Sequence, residues 1–123
     1  MTWVWVALAG GLGAGVRFML DGLLTERSRR ALPTATLVIN VAGSFLLGVV
    51  AGWASARLGT EIVRAVAGVG FLGGFTTFST ASVELVRLVR TERPWAAVFL
   101  ATGMLGASVG AAMIGLMVGA LAA

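Results

Sequence analysis

The stretch "GFLGGFTTFSTASVE", residues 70–84, decides how the rest of the chain is read. It lies inside an uncharged apolar run that extends from Ala65 to Val83. Gly73 and Gly74, then Thr76, Thr77, Phe78, Ser79 and Thr80, interrupt that run. Glycines and hydroxyls make a poor lipid-facing helix. The third apolar segment extends roughly from Ile62 to Leu88, so its midpoint falls at about residue 75. The interruption therefore lies near the centre of a membrane span. Two readings follow. Unwound backbone is tolerated at that depth where it is buried in protein or lines a cavity, and its carbonyls can then hold a cation. Otherwise the helix is continuous, with a glycine packing notch and hydroxyls bonded to carbonyls one turn earlier.

The composition supports a membrane setting. Of 123 residues, 59% are hydrophobic and 11% charged, against about 25% charged in soluble domains. The mean hydropathy is +0.99. Four apolar stretches are expected as helices at about 2–24, 33–56, 62–90 and 94–121, forming one domain over 1–123. About 20 residues cross the roughly 30 Å hydrocarbon layer, so each stretch spans once. In lipid, backbone polar groups are satisfied within the segment, which makes the fold an all-α membrane bundle. The N-terminal run lacks a basic leader pattern and is expected to be a retained helix.

Polar clusters separate the spans: Glu26 to Arg30 with Pro33, then Arg57 to Arg64, then Arg87 to Pro94. Trp3, Trp5, Trp53 and Trp95 fall near span ends, where indole favours the interface. Arg27, Arg29, Arg30, Arg87, Arg90 and Arg93 share one side, against Arg57 and Arg64 on the other. The positive-inside rule then places both termini outside. Gly11/Gly15, Gly48/Gly52, Gly106/Gly110 and Gly115/Gly119 recur at the four-residue spacing that lets helices approach closely in lipid. Four thin spans enclose an aqueous path poorly, so an oligomer is expected.

Few residues are available for chemistry. The chain has no cysteine, histidine or tyrosine, and all nine basic residues are arginine. Proton-transfer catalysis is therefore nearly excluded, and the chain is read as a non-enzyme. Asn40, the only side-chain amide, shares a helical face with Thr36 and Ser44. It can donate to an anion or clamp two helices together. Arg17, Asp21 and Glu84 are the deeper charges. A charge at mid-membrane costs about 2.5–3.5 kcal/mol, so Arg17 and Glu84 are expected to pair, directly or through water. Phe78 can pack ordinarily or turn its positive ring edge toward a small anion.

These residues together resemble the small bacterial Fluc (CrcB) fluoride channels over the whole chain. Gly10 to Arg17, "GGLGAGVR", is similar to that family's glycine-rich first helix. Pro33 to Phe45, "PTATLVINVAGSF", is similar to its second-helix motif, and Gly70 to Glu84 to its broken third helix. The resemblance implies an antiparallel dimer of four-helix subunits in the bacterial inner membrane. The dimer would have two pores that export cytoplasmic fluoride passively. It implies a structural Na+ on the two-fold axis, held by carbonyls of Gly73 and Thr76 from both subunits. It places Asn40 and the Phe78 edge on the fluoride path, with Thr36 and Thr77 contributing hydroxyls. From the fourth helix, Thr102 and Ser108 are the candidates, Ser108 favoured. The sequence departs from the family at Ala81, where a second aromatic is usual. Dual insertion also favours balanced loop charge, and six arginines against two is not balanced. The partner is thus either a second copy or a non-identical, oppositely oriented family member that supplies the missing ring. A small multidrug-type proton-coupled exporter is the alternative, but Thr2 to Val16 holds no titratable group. A structural anchor subunit would explain the glycines but not the polar residues at mid-membrane.

Overall fold

The computed structural model describes residues 1–27, 34–76, 86, 89, 90 and 94–123, and all the elements described are helical. Helix α1 spans Thr2–Arg27 and α2 spans Thr34–Ser55. Helix α3 is built from three consecutive segments, Glu61–Val63, Arg64–Leu72 and Gly73–Phe75. Helix α4 spans Pro94–Ala122. Proline suits its first position, where the missing N–H would have no intrahelical partner.

Among the described residues, three stretches, Thr2–Leu23, Thr36–Ser55 and Pro94–Ala122, are long and apolar enough to cross a membrane. Their surfaces suit lipid or a protein partner. Trp3, Leu12 and Phe18 on α1, and Phe99, Leu105 and Met113 on α4, all stand exposed. An apolar exterior of this extent is untenable in water and ordinary in a bilayer. The chain is a multi-pass membrane protein.

Two helix pairs carry the packing, α2 with α4 and α1 with α3. Gly48 lies against the backbone of Ala112 and Leu116, and Gly52 against Leu116 and Ala120. In return Gly115 meets Phe45 and Val49, and Gly119 meets Val49 and Trp53. Both numberings rise together, so α2 and α4 run parallel. In α1 and α3, Gly70 lies against Val6 and Ala9, Gly74 against Gly10, and Gly13 against Phe71 and Phe75. These two helices are parallel as well. Two of the four expected glycine pairs, Gly48/Gly52 and Gly115/Gly119, thus form one reciprocal seam. A β-carbon at Gly11, Gly15, Gly106 or Gly110 would meet nothing of another helix within 4 Å among the described residues. The α1–α3 contact instead uses Gly10 against Gly70 and Gly74, and Gly13 against Phe71 and Phe75, which fall on a different stripe.

The α2–α3 turn is capped by its own side chains. Thr60 donates its hydroxyl to the carbonyls of Ala54 (2.9 Å) and Arg57 (3.2 Å). Gly59 takes φ +75°, a left-handed conformation that a β-carbon would strain. The Arg57 guanidinium lies 5.2 Å from the Trp53 ring, a cation–π pair at a helix end.

Helix α3 is irregular. Residues Arg64–Leu72 form wide π-helical turns, and the Gly73 N–H reaches the Gly68 carbonyl five residues back. Such turns are often found at functional sites. After Phe75 the backbone leaves helical geometry: Thr76 has φ −77° and ψ 155°, an extended conformation. The position, about residue 75, is where the sequence places the middle of the span. The third helix is expected to run on to about residue 90, and most of that course beyond Thr76 lies outside the described residues.

Candidate functional site

The site is assembled around the end of α3. Carbonyls in the last turn of a helix lack the donors that a continuing helix supplies. At Thr76 the backbone N–H and the side-chain hydroxyl both donate to the Leu72 carbonyl, each at 3.0 Å. The hydroxyl bond fixes the Thr76 side chain, whose γ-methyl rests on Gly43 of α2 beside the Phe75 ring. A β-carbon at position 43 would overlap that methyl. Phe75 is buried and stacks on Phe71 one turn earlier, with centroids 6.3 Å apart and planes 8° apart.

From the other side, α1 meets the same turn. The half-buried Arg17 donates from Nε to the Gly74 carbonyl at 3.5 Å. A helical side chain leans toward its own N-terminus, so Arg17 reaches back along α1 toward the level of Gly13. Gly10 and Gly13, bare of side chains, let α3 come close enough for that contact. The expected partner of Arg17, Glu84, lies outside the described residues. Nε is one of the guanidinium's five N–H donors, so the Gly74 contact leaves others for a second acceptor. The sequence reading missed Gly74 as an acceptor. The signal was available: an arginine one turn beyond Gly13, beside a helix expected to end.

On α2, Thr36 is fully buried and Asn40 half-buried, on the face that continues to Gly43 and Ser44. Gly43 is three residues beyond Asn40, about 4.5 Å along the helix axis. The contact between Gly43 and Thr76 therefore brings the end of α3 within one turn of Asn40. On α4, the register that sets Gly48 against Ala112 and Leu116 puts Asn40 level with Ala107 and Ser108. Ser108 is half-buried. Thr102 is exposed, and its hydroxyl is already bonded to the carbonyls of Val98 (2.8 Å) and Phe99 (3.2 Å). Thr77 and Phe78, and Ala81 with them, lie outside the described residues.

Between α2 and α4 opens an apolar groove of about 680 Å³, lined by Val38, Val41, Phe45, Ala107, Ala111 and Ile114 among others. The described residues contain no cluster of three or more His, Cys, Asp or Glu. Among them, a hard cation would therefore take its oxygen ligands from carbonyls, hydroxyls or the amide. Gly73 is exposed at the end of α3, and the extended ψ of Thr76 turns its carbonyl out of the helical row. Backbone carbonyl oxygens are the ligand type a hard cation takes.

Comparison with known proteins gives a consistent answer. The family described as "CrcB-like protein, Camphor Resistance (CrcB)" matches residues 4–120. The "Fluoride-specific ion channel FluC 1" of Leifsonia xyli is 48% identical over 117 residues, covering 95% of this chain and 85% of that protein. The "Fluoride-specific ion channel FluC 2" of Cutibacterium acnes is 47% identical over 120 residues, covering 97% and 98%. The "Fluoride-specific ion channel FluC" of Novosphingobium aromaticivorans is 42% identical over 115 residues, covering 92% and 91%. These relatives are named as channels, not as enzymes.

Proposed function

This chain belongs to the CrcB family, and from that premise we propose that it is a passive, fluoride-selective channel of the bacterial inner membrane. The observation that carries the proposal is identity of 47–48% to channels named for fluoride, across nearly the whole chain. The chemistry of the site supports it. A small anion leaving water loses a large hydration energy unless fixed donors replace the lost waters. Asn40 supplies two amide donors, and Thr36, Thr77 and Ser108 supply hydroxyls. The Phe78 ring edge adds a weak positive field without a full countercharge. In a bacterium the channel would discharge cytoplasmic fluoride that had entered as the neutral acid.

Two subunits in opposite orientations would meet at the ends of their α3 helices. There the carbonyls of Gly73 and Thr76 from each would hold a structural Na+, whose charge ties the two chains together. The partner is a second copy or a non-identical family member, and in the latter case it supplies the aromatic that Ala81 does not.

The test is ion flux from liposomes that contain the purified chain. Fluoride should leave without a proton gradient while chloride is retained. Flux that requires a proton gradient would instead identify a coupled exporter, and no flux of either ion would identify an anchor. If only a mixture with a second family member conducts, the channel is heteromeric.

A further inference from the structure

Helical geometry in α3 is lost at Thr76, and one cationic side chain of another helix meets a carbonyl of the turn before it. We propose that Arg17 is a positioning residue: its Nε–H holds the Gly74 carbonyl and so fixes the point at which the chain leaves α3. Three observations converge on this. The donor–acceptor contact is present at 3.5 Å, from a half-buried guanidinium. The acceptor belongs to the penultimate residue of α3, two before Thr76 takes ψ 155°. Gly74 is also pinned against the Gly10 backbone, so its carbonyl cannot drift from Arg17 without separating α1 from α3.

The chemistry suits the place. A helix C-terminus carries partial negative charge, and a cation there is stabilising. A charge-assisted bond in a setting of low dielectric is stronger than its length alone implies. The contact also divides the end of α3. Gly74 is tied inward to α1, while Gly73 stays exposed on the outer side. In conduction, this would keep the exit of α3 in register with Asn40 on α2, a consequence that rests on the channel reading above.

The test compares Arg17→Gln with Arg17→Met in the full-length chain, reconstituted in nanodiscs. The Gln side-chain nitrogen is as many bonds from the backbone as Arg Nε and can donate. Met places a methyl group there and cannot. Amide hydrogen exchange is read at Phe75 and Thr76. We expect Arg17→Met to speed exchange at these two amides by about tenfold, the scale of one lost bond to a charged group. Arg17→Gln should restore most of the protection, and α2 and α4 amides should not change in either variant. Folding of the Gln variant alone would support the proposal further. Exchange in the Met variant equal to wild type overturns it. So does a Gln variant as fast as Met, or failure of both to fold, because charge rather than the Nε donor would then be the requirement. Fluoride flux is measured on the same proteins and should fall several-fold in the Met variant only. A wild-type chain that passes no fluoride removes the channel reading and leaves the exchange result intact.

Discussion

Gly48 on α2 lies directly against the Ala112 carbonyl of α4, with no space for a β-carbon between them. The contact is reciprocated by Gly115 against Phe45, so two backbones approach along a shared seam. Lipid tails are as apolar as leucine, so close packing replaces the hydrophobic effect as the force between helices. Gly48→Val should therefore force α2 and α4 apart and cost about 1–3 kcal/mol, the usual scale of overpacking. Tryptophan fluorescence during thermal unfolding in detergent would show it as a lower midpoint. Gly106→Ala is the control, since nothing lies within 4 Å of that position among the described residues. Its midpoint, read on the detergent-solubilised subunit, should not fall, because alanine is about 1 kcal/mol the better helix former.

Where α3 meets α1 and α2, the neighbour's identity sets the size of the effect. A β-carbon at Gly74 would meet the Gly10 carbonyl, which is backbone and cannot yield. A β-carbon at Gly43 would meet the Thr76 methyl, which is side chain. Gly74→Ala should therefore lower the unfolding midpoint more than Gly43→Ala. The Gly43 change should still lower fluoride flux, because the Thr76 side chain is held by its bond to Leu72 and must carry the backbone with it. Equal midpoints for the two variants would contradict this ranking.

The Thr76 hydroxyl itself can be separated from its methyl. Thr76→Val keeps the methyl on Gly43 and deletes the 3.0 Å bond to the Leu72 carbonyl. That carbonyl retains the Thr76 N–H, so it is not left unpaired. The expected loss is about 0.5–1.5 kcal/mol, the net value of one neutral hydrogen bond. Thr76→Ser should keep the bond and lose only the methyl contact. Faster exchange at the Thr76 amide in the Val variant, and little change in Ser, is the expected pattern.

The membrane class was legible from bulk properties, because long uncharged runs have few alternatives to a lipid setting. Gly73, Gly74, Thr76 and Thr77 mark the middle of the third span in sequence, and in the structure Thr76 is extended, while most of the span beyond it lies outside the described residues. Less was visible where partners are set by three-dimensional approach. Spacing alone marked four glycine pairs as equivalent, yet among the described residues only Gly48/Gly52 and Gly115/Gly119 meet. The α1–α3 contact uses Gly10, Gly13, Gly70 and Gly74, which do not share one repeat. The pairing expected between Arg17 and Glu84 falls outside the described residues, and the Gly74 carbonyl went unseen because sequence displays side chains and not carbonyls. The contact of Arg17 with Gly74 depends on where α3 stops, which is a property of the backbone.

Among the polar residues of α4, the structure separates two that look alike in sequence. Thr102 is exposed, and its hydroxyl is committed to the Val98 and Phe99 carbonyls, so it has no free donor to offer an ion. Ser108 is half-buried and, by the register of the glycine seam, level with Asn40. If fluoride exchanges its waters for fixed donors along that line, losing one hydroxyl should matter at Ser108 and not at Thr102. Ser108→Ala should lower fluoride efflux from liposomes several-fold, on the order of one lost hydrogen bond to an anion. Thr102→Val should leave efflux at the wild-type rate. Asn40→Leu, which removes two donors and keeps the side chain's bulk, should reduce efflux further than Ser108→Ala. A Thr102 variant as slow as the Ser108 variant would move the path off the Asn40 side of α4 and toward its exposed face.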